Sequence, residues 1–169
     1  KGMTAAKYPM ISALALPEIM RTDKWKGQDY PIRSLYVYAG NPVSNQVNTN
    51  EHINDVVGNM DLYVVADYTF TDTVKYANIE WCDTADISDI VLPAAHWFEQ
   101  QELVPISATQ CFLHSEKAID PLYESKSDFE ILKLLAAGMG HPDLIDLSED
   151  EYMSQVVDTP GLGALGITY

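Results

Sequence analysis

The sequence predicts an α/β fold, and three observations carry that prediction. Two short runs, Ser34–Ala39 and Leu62–Ala66, are rich in apolar, β-branched and aromatic residues, which is typical of buried strands. Between them, Asn48–Gly58 places apolar residues at helical spacing and ends on a glycine, so it predicts a crossover helix. A third apolar run, Asp89–Pro93, predicts another strand. A strand, a helix and a strand in this order form a βαβ unit with parallel strands and a right-handed crossover.

The length and composition fit one domain that belongs to a larger polypeptide. A chain of 169 residues with 47% apolar side chains is large enough for one α/β domain with its own core. It begins at Lys1, and its first residues are too weakly apolar for a signal peptide. We therefore expect residues 1–169 to be a single excised domain with flexible segments at 1–9 and 158–169. The sequence has no apolar run of the roughly 18 residues that a membrane span needs, so no membrane insertion by this segment is expected.

The charge balance limits the classes of ligand. With 25 acidic and 10 basic residues the net charge is −15, and the sequence offers no basic stripe that would neutralise nucleic-acid phosphates or an anionic membrane surface. We therefore expect no nucleic-acid partner. An anionic ligand would have to be held largely by backbone N–H groups and helix N-termini.

Neither the cysteines nor the histidines predict a metal site. Cys82 and Cys111 are far apart in the sequence and form no CxxC pair, so two buried thiols are favoured over a disulfide. The four histidines show no ligand spacing such as HExxH. We expect no metal bound by the side chains of this chain.

The loop after the first predicted strand is the first candidate for a binding site. The strand stops at Gly40, Asn41 and Pro42, residue types that favour turns because glycine reaches positive φ, asparagine tolerates the left-handed region and proline cannot donate to a ladder. We expect a tight loop with free backbone N–H groups and short polar side chains. Since ligands of α/β folds lie outside the carboxyl ends of the strands, this loop is interpreted as one side of a nucleotide-type site.

The second predicted strand ends at Asp67. A carboxylate at this point of a βαβ unit typically accepts a hydrogen bond from a ribose hydroxyl or from an N–H edge of a base. The alternative is that Asp67 caps the following helix, which is expected at Val74–Asn78. Further caps or hydroxyl ligands could come from Thr69, Thr71, Asp72 and Thr73.

The rest of the chain is predicted to be a set of shorter elements. Residues 9–20 are expected to form a short helix with Pro17 near its end or at a kink, and residues 22–31 a surface connection with an exposed Trp25. Segments 103–106 and 110–113 are expected to pair as an antiparallel edge. Ser127 and Ser148 begin two helices with capping-box spacing, and Gly138 or Gly140 ends the first.

One motif is rejected on its context. Gly161–Gly166 matches the G-x-G-x-x-G pattern of dinucleotide-binding loops, but it follows Thr159 and Pro160 instead of a strand. Too few residues remain after it to form the helix that such a loop requires. It is interpreted as part of the C-terminal tail.

Three segments together resemble the molybdopterin oxidoreductases of the dimethyl-sulfoxide-reductase family. They are the strand ending in GNPxS at Ile32–Asn45, the strand ending in Asp and followed by threonines at Leu62–Thr73, and the DIVLPAA strand with its nearby glutamate at Ser88–Glu99. The segment AIDPLYESKSDFEIL, from Ala118 onward, resembles the family's downstream helix, so the resemblance covers roughly residues 30 to 140.

The resemblance implies a cofactor-binding domain of a larger catalytic subunit. In that family molybdenum is bound by two molybdopterin guanine dinucleotides, and one guanosine end is held by a three-layer, doubly wound, mostly parallel α/β domain of flavodoxin-like or Rossmann-like topology. Carried over by position, the residues that would contact this cofactor's pyrophosphate and guanosine are Gly40, Asn41, Pro42, Ser44, Asn45, Asp67, Thr71 and Thr73. The remaining domains of the parent chain, with a 4Fe–4S cluster and electron-transfer subunits, would complete the enzyme, and the isolated fragment is expected to carry no cofactor.

The sequence also departs from the family pattern. Residues Lys75–Asp86 intervene where the family passes directly to the DIVLP strand, and the chain has neither the family's cysteine-rich segment nor a molybdenum ligand at the expected position. No catalytic residue is therefore assigned to this fragment. The alternative is a non-catalytic α/β module that binds a nucleotide or a partner protein. The compartment, cytoplasmic or exported, depends on sequence upstream of Lys1 and stays open.

Overall fold

Two parallel strands lie at the centre of the N-terminal half in the computed structural model. Strand β3, Ser34–Tyr38, pairs with β4, Leu62–Asp67, in a register that places Ser34 opposite Leu62 and Tyr38 opposite Ala66. Strand β5, Ile90–Pro93, lies on the other side of β4, which gives the order β3-β4-β5. The sheet and its helices confirm the α/β prediction.

The structure describes residues 10–76, 90–106 and 111–169. The chain divides into two units, Lys1–Leu92 and Pro93–Tyr169. Residues 77–89, which include Cys82 and the first residue of the predicted strand Asp89–Pro93, lie outside the described residues. No helix among the described residues is long and apolar enough to cross a membrane.

The crossover between β3 and β4 is a helix of changing pitch. Helix α3, Thr49–Glu51, continues as a π-helical turn, His52–Val56, and ends in a 3-10 turn, Val57–Asn59. The N-cap is Asn48, whose side chain accepts a hydrogen bond from the Glu51 N–H at 3.4 Å. Asn48 has φ +61°, in the left-handed region that asparagine tolerates better than most residue types.

The core of the first unit is formed between this crossover and the sheet. Its buried members come from the strands, the crossover and the segments after them, and are Val37, Val56, Val57, Met60, Tyr63, Val65 and Val74. Val56 and Val57 are fully buried, as their helical spacing predicted. Burying a valine side chain of this kind stabilises the fold by roughly 1.5–3 kcal/mol.

The segment before β3 differs from its prediction in two ways. A 3-10 turn, Ala13–Ala15, leads into helix α1, Leu16–Thr22, in which Pro17 lies in the first turn and not at the end. Proline suits this position because amides of the first turn have no acceptor within the helix. The expected surface connection is a small hairpin, in which β1, Lys24–Trp25, pairs with β2, Gln28–Asp29. Trp25 is half-buried, because Lys26 and Tyr30 contact its ring.

The second unit contains a hairpin and helices. Strands β6, Glu102–Ile106, and β7, Cys111–Ser115, pair antiparallel as predicted, but they form a separate two-stranded sheet and not an edge of the parallel one. Helix α5 spans Asp128–Gly138, a 3-10 turn spans Pro142–Ile145, and helix α6 spans Glu149–Val157. A last short helix, α7, spans Pro160–Gly163.

The helix ends of this unit follow the predicted chemistry in most details. Ser148 and Glu151 form a complete capping box, whereas Ser127 caps α5 by accepting from the Glu130 N–H at 3.2 Å without the reciprocal bond. Gly140, at φ +84°, ends α5, because the amides of Gly140 and His141 reach back to the last carbonyls of the helix. Helix α7 starts at a Thr159 cap instead of a strand, in agreement with the rejection of the glycine motif.

We expect Ala39→Gly to raise the free energy of unfolding by about 1 kcal/mol, because Ala39 has φ +48° and an L-residue in that region is strained by its Cβ. Urea denaturation measures the change. The matched control is Ala137→Gly on an exposed position of α5, where the same substitution should lower the free energy of unfolding by about 1 kcal/mol. Destabilisation by both variants would contradict the assignment of strain to Ala39.

His52 should make the stability depend on pH. Its side chain is 3% exposed, and burial lowers the pKa of its imidazole below the ordinary value of 6.5. The unfolded chain therefore binds a proton more readily, so this contribution to stability is complete above pH 6.5 and is lost as the pH falls toward the lowered pKa. Urea denaturation at about pH 7.5 and about pH 5.5 gives the free energy of unfolding at each pH. On acidification this free energy should fall by up to about 1 kcal/mol less in His52→Leu than in the parent.

The control for this measurement is His141→Gln, since His141 is exposed. This variant should show the same loss on acidification as the parent. An equal loss in His52→Leu would mean that another group causes the pH dependence.

Candidate functional site

Two loops leave the parallel sheet at the same edge. Because β3 and β4 are parallel and Tyr38 lies opposite Ala66, the loops that follow Tyr38 and Asp67 start side by side. Every residue that the sequence assigned to a binding site lies in or directly after these two loops. The first unit therefore brings the two predicted sides of the site together, at the carboxyl edge where α/β folds bind ligands.

The first loop is more tightly folded than predicted. Ala39, and not Gly40, takes the positive φ, and Pro42 begins a short helix, α2, at Pro42–Asn45. The amides of Ser44 and Asn45 donate to the Asn41 carbonyl at 3.2 and 2.9 Å. The Val43 amide donates to the Thr73 hydroxyl oxygen at 3.1 Å. The prediction of free N–H groups was therefore wrong for these three amides, which the fold itself uses.

The side chain of Asn41 connects the two loops. Its Oδ1 accepts hydrogen bonds from the Thr73 hydroxyl at 2.7 Å and from the Thr73 backbone N–H at 3.2 Å. Thr73 is fully buried. The resemblance assigned both residues to the cofactor. In the structure, these polar atoms of Asn41 and Thr73 bond to each other.

Asp67 lies at the start of the second loop with its carboxylate partly exposed. Its Oδ1 accepts from the Thr69 N–H and its Oδ2 accepts from the Thr71 hydroxyl, both at 3.2 Å. Thr71 in turn accepts from the Val74 N–H at 3.4 Å, so Thr71 caps helix α4, Asp72–Tyr76. Asp67 therefore orders the loop and orients Thr71. The cap of α4 is Thr71, so the alternative that Asp67 itself caps this helix was wrong.

A second carboxylate of the site belongs to Asp72, the first residue of α4. It accepts a hydrogen bond from the Ser44 hydroxyl at 2.6 Å and pairs with the Lys75 ammonium at 3.2 Å. The Ser44 hydroxyl, and then Lys75, hold the pKa of the Asp72 carboxyl below its ordinary value. The sequence suggests Asp72 as a possible cap, but Asp72 is not among the residues assigned to the cofactor, because its bond to Ser44 depends on how the two loops meet. An acidic residue in the first turn of a helix beside the loop was the available signal.

The other assigned residues have simpler positions. Pro42 lies in the first turn of α2, which suits proline, and the Asn45 side chain is exposed. An added Cβ on Gly40 would meet the Tyr38 carbonyl at 3.6 Å, an ordinary contact, so packing alone does not require glycine there. None of these three residues therefore has a structural role comparable to that of Asn41.

The charges of this edge favour one kind of ligand. Asp67 and Asp72 are negative, and the nearby Lys75 is already paired with Asp72. A group that donates hydrogen bonds is therefore better suited to this edge than a phosphate anion. Among the described residues, no cluster of His, Cys, Asp and Glu could hold a metal ion.

Comparison with known proteins gives a family match. The family model described as molybdopterin oxidoreductase matches residues 24–137. A putative dimethyl sulfoxide reductase catalytic chain from Halobacterium salinarum is 33% identical over 67% of this chain and 12% of its own length. The alpha chain of F420-dependent formate dehydrogenase 1 from Methanococcus maripaludis is 27% identical over 82% of this chain and 18% of its own length.

A solved structure shows the same fold. The acetylene hydratase from Pelobacter acetylenicus superposes with a TM-score of 0.63 over 92% of this chain and 19% of its own, at 21% identity. The chain thus spans less than a fifth of the length of these proteins.

Proposed function

Because this chain belongs to the molybdopterin oxidoreductase family, we propose that it is the part of a molybdenum-dependent oxidoreductase that holds the guanosine end of a molybdopterin guanine dinucleotide. The observation that carries the proposal is the position of Asp67, a partly exposed carboxylate oriented by Thr69 and Thr71 at the carboxyl edge of the parallel sheet. The doubly wound, three-layer form of this α/β domain is part of the same proposal.

The hydrogen-bonding capacity of Asp67 suits a guanine base. An ionised carboxylate offers about four acceptor positions, and in this chain two of them are taken by the Thr69 N–H and the Thr71 hydroxyl. Guanine presents two adjacent donors, N1–H and the N2 amino group, on one edge. A carboxylate held by its neighbours can accept both at once, and adenine cannot offer that pair.

The pyrophosphate of the same cofactor fits these residues less well. The amides of Val43, Ser44 and Asn45 are already bonded within the fold, and two carboxylates stand at the edge. Burying a phosphate beside carboxylates is electrostatically unfavourable. We therefore assign the guanosine, and not the pyrophosphate, to this loop pair.

The chemistry of the enzyme would take place outside this chain. When bound, the molybdenum centre supplies the change of oxidation state that an oxidoreductase needs. The residues here bind and orient the distant end of the cofactor and exclude water from it. We propose that the remaining domains of the parent chain, with a 4Fe–4S cluster and electron-transfer subunits, complete the catalytic unit.

A second function rests on the aromatic residues of the other unit. Trp97 and Phe98 are 56% and 50% exposed, and their rings stack at 4.5 Å. Exposed stacked aromatic rings are typical of protein-interaction surfaces. A non-catalytic interaction module would use this surface and would show no preference among nucleotides.

We expect Asp67→Asn to change the base preference of the chain from guanine to xanthine. Asparagine keeps one acceptor but replaces the other with an amino donor, which complements the O2 of xanthine and not the N2 amino group of guanine. Amide chemical shifts of the chain, followed during titration with GMP, AMP and XMP, should show GMP preferred by the parent and weakened roughly tenfold in the variant. XMP should bind the variant more tightly than the parent.

Asp158→Asn in the second unit is the control for this titration and should leave all three titrations unchanged. If the parent shows no preference for GMP over AMP, the proposed function is wrong and the interaction module is favoured.

A further inference from the structure

We propose that Asn41 and Thr73 are positioning residues: they lock the two loops together and so fix Asp67 for the guanine base, without touching the ligand. This inference rests on the proposed function. It reassigns two residues that the family resemblance placed among the cofactor contacts.

The Thr73 hydroxyl is buried and already makes hydrogen bonds within the fold. Thr73 is 0% exposed, so a solute cannot reach it. Its hydroxyl donates to Asn41 Oδ1 at 2.7 Å and accepts from the Val43 N–H at 3.1 Å. The single donor and one acceptor position of the hydroxyl are thereby used.

This buried link continues to Asp67 through the start of helix α4. Thr73 lies in the first turn of α4, and the preceding Thr71 caps the same helix through the Val74 N–H. The Thr71 hydroxyl then donates to Asp67 Oδ2. Two sets of hydrogen bonds, joined by the backbone of α4, therefore connect Asn41 in the first loop to the carboxylate of Asp67.

A second hydrogen bond joins the two loops at the surface. This bond, in which the Ser44 hydroxyl donates to the Asp72 carboxylate, is exposed, so water competes with each residue as a partner. The link through Thr73 is shielded from water, and removing its hydroxyl would leave the buried Val43 N–H without its acceptor and take one of two donors from Asn41 Oδ1. It is therefore the stronger constraint on the spacing between the loops.

The test compares Thr73→Val with Thr73→Ser in the 169-residue chain, using GMP as the probe. Thr73→Val keeps the shape but removes the hydroxyl, and it should raise the dissociation constant for GMP roughly tenfold. Thr73→Ser restores the hydroxyl and should bind within about twofold of the parent. Hydrogen exchange of the Thr69 and Thr71 amides should accelerate in Thr73→Val alone, with or without GMP.

Thr22→Val is the matched control, because the Thr22 hydroxyl likewise donates to a carbonyl, that of Glu18, at 2.8 Å and accepts from the Lys24 amide at 3.3 Å, away from both loops. It should leave GMP affinity and loop exchange unchanged. Where Thr73→Val destabilises the chain too far, Asn41→Ala, which removes the acceptor, serves in its place. It should accelerate exchange of the Thr69 and Thr71 amides in the absence of GMP, and unchanged exchange would overturn the inference.

The outcomes separate the two proposals. If the parent binds GMP and Thr73→Val binds it equally well, Thr73 has no positioning role and the inference fails while the proposed function stands. If Thr73→Val weakens binding but Thr73→Ser does so equally, the hydroxyl is not the cause and the inference also fails. A parent chain that does not bind GMP overturns the proposed function itself.

Discussion

The parallel register of β3 and β4 determines where the polar chemistry of the first unit lies. With Tyr38 opposite Ala66, both strands end at one edge, so residues about thirty positions apart in sequence become hydrogen-bonding partners there. The register depends on the crossover, because Val56 and Val57 must pack on the sheet for the two strands to align. An antiparallel pair would have placed the two loops at opposite edges.

At this edge the chain uses much of its hydrogen-bonding capacity internally. Asn41, Thr73 and three amides of the first loop satisfy one another, whereas Asp67 keeps part of its capacity and part of its exposure. A preorganised site needs both kinds of residue, since a ligand-binding group is effective only when its neighbours hold it still. The most buried members of this set are Val43 and Thr73, which bond to each other, whereas Asp67 is partly open to solvent.

The sequence was a reliable guide to elements and a poor guide to the duties of single polar residues. Hydrophobic runs predicted β3, β4 and the crossover because burial of apolar side chains is visible in one dimension. The sequence could not show that Ala39 and not Gly40 takes the positive φ, or that Asn41 bonds to Thr73, because both depend on how two distant loops meet. Residue type restricts what a side chain can bond to, but only the folded neighbourhood decides which bond it makes.

The charges at this edge of the sheet restrict which part of a cofactor can bind here. A chain of net charge −15 with carboxylates at Asp67 and Asp72 repels anions, and Lys75 offsets only one of them. A neutral base with two adjacent donors avoids that repulsion and gains charge-assisted hydrogen bonds of the stronger kind. The acidity of the loops is therefore compatible with binding a nucleotide by its base, provided that groups outside these two loops neutralise its phosphates.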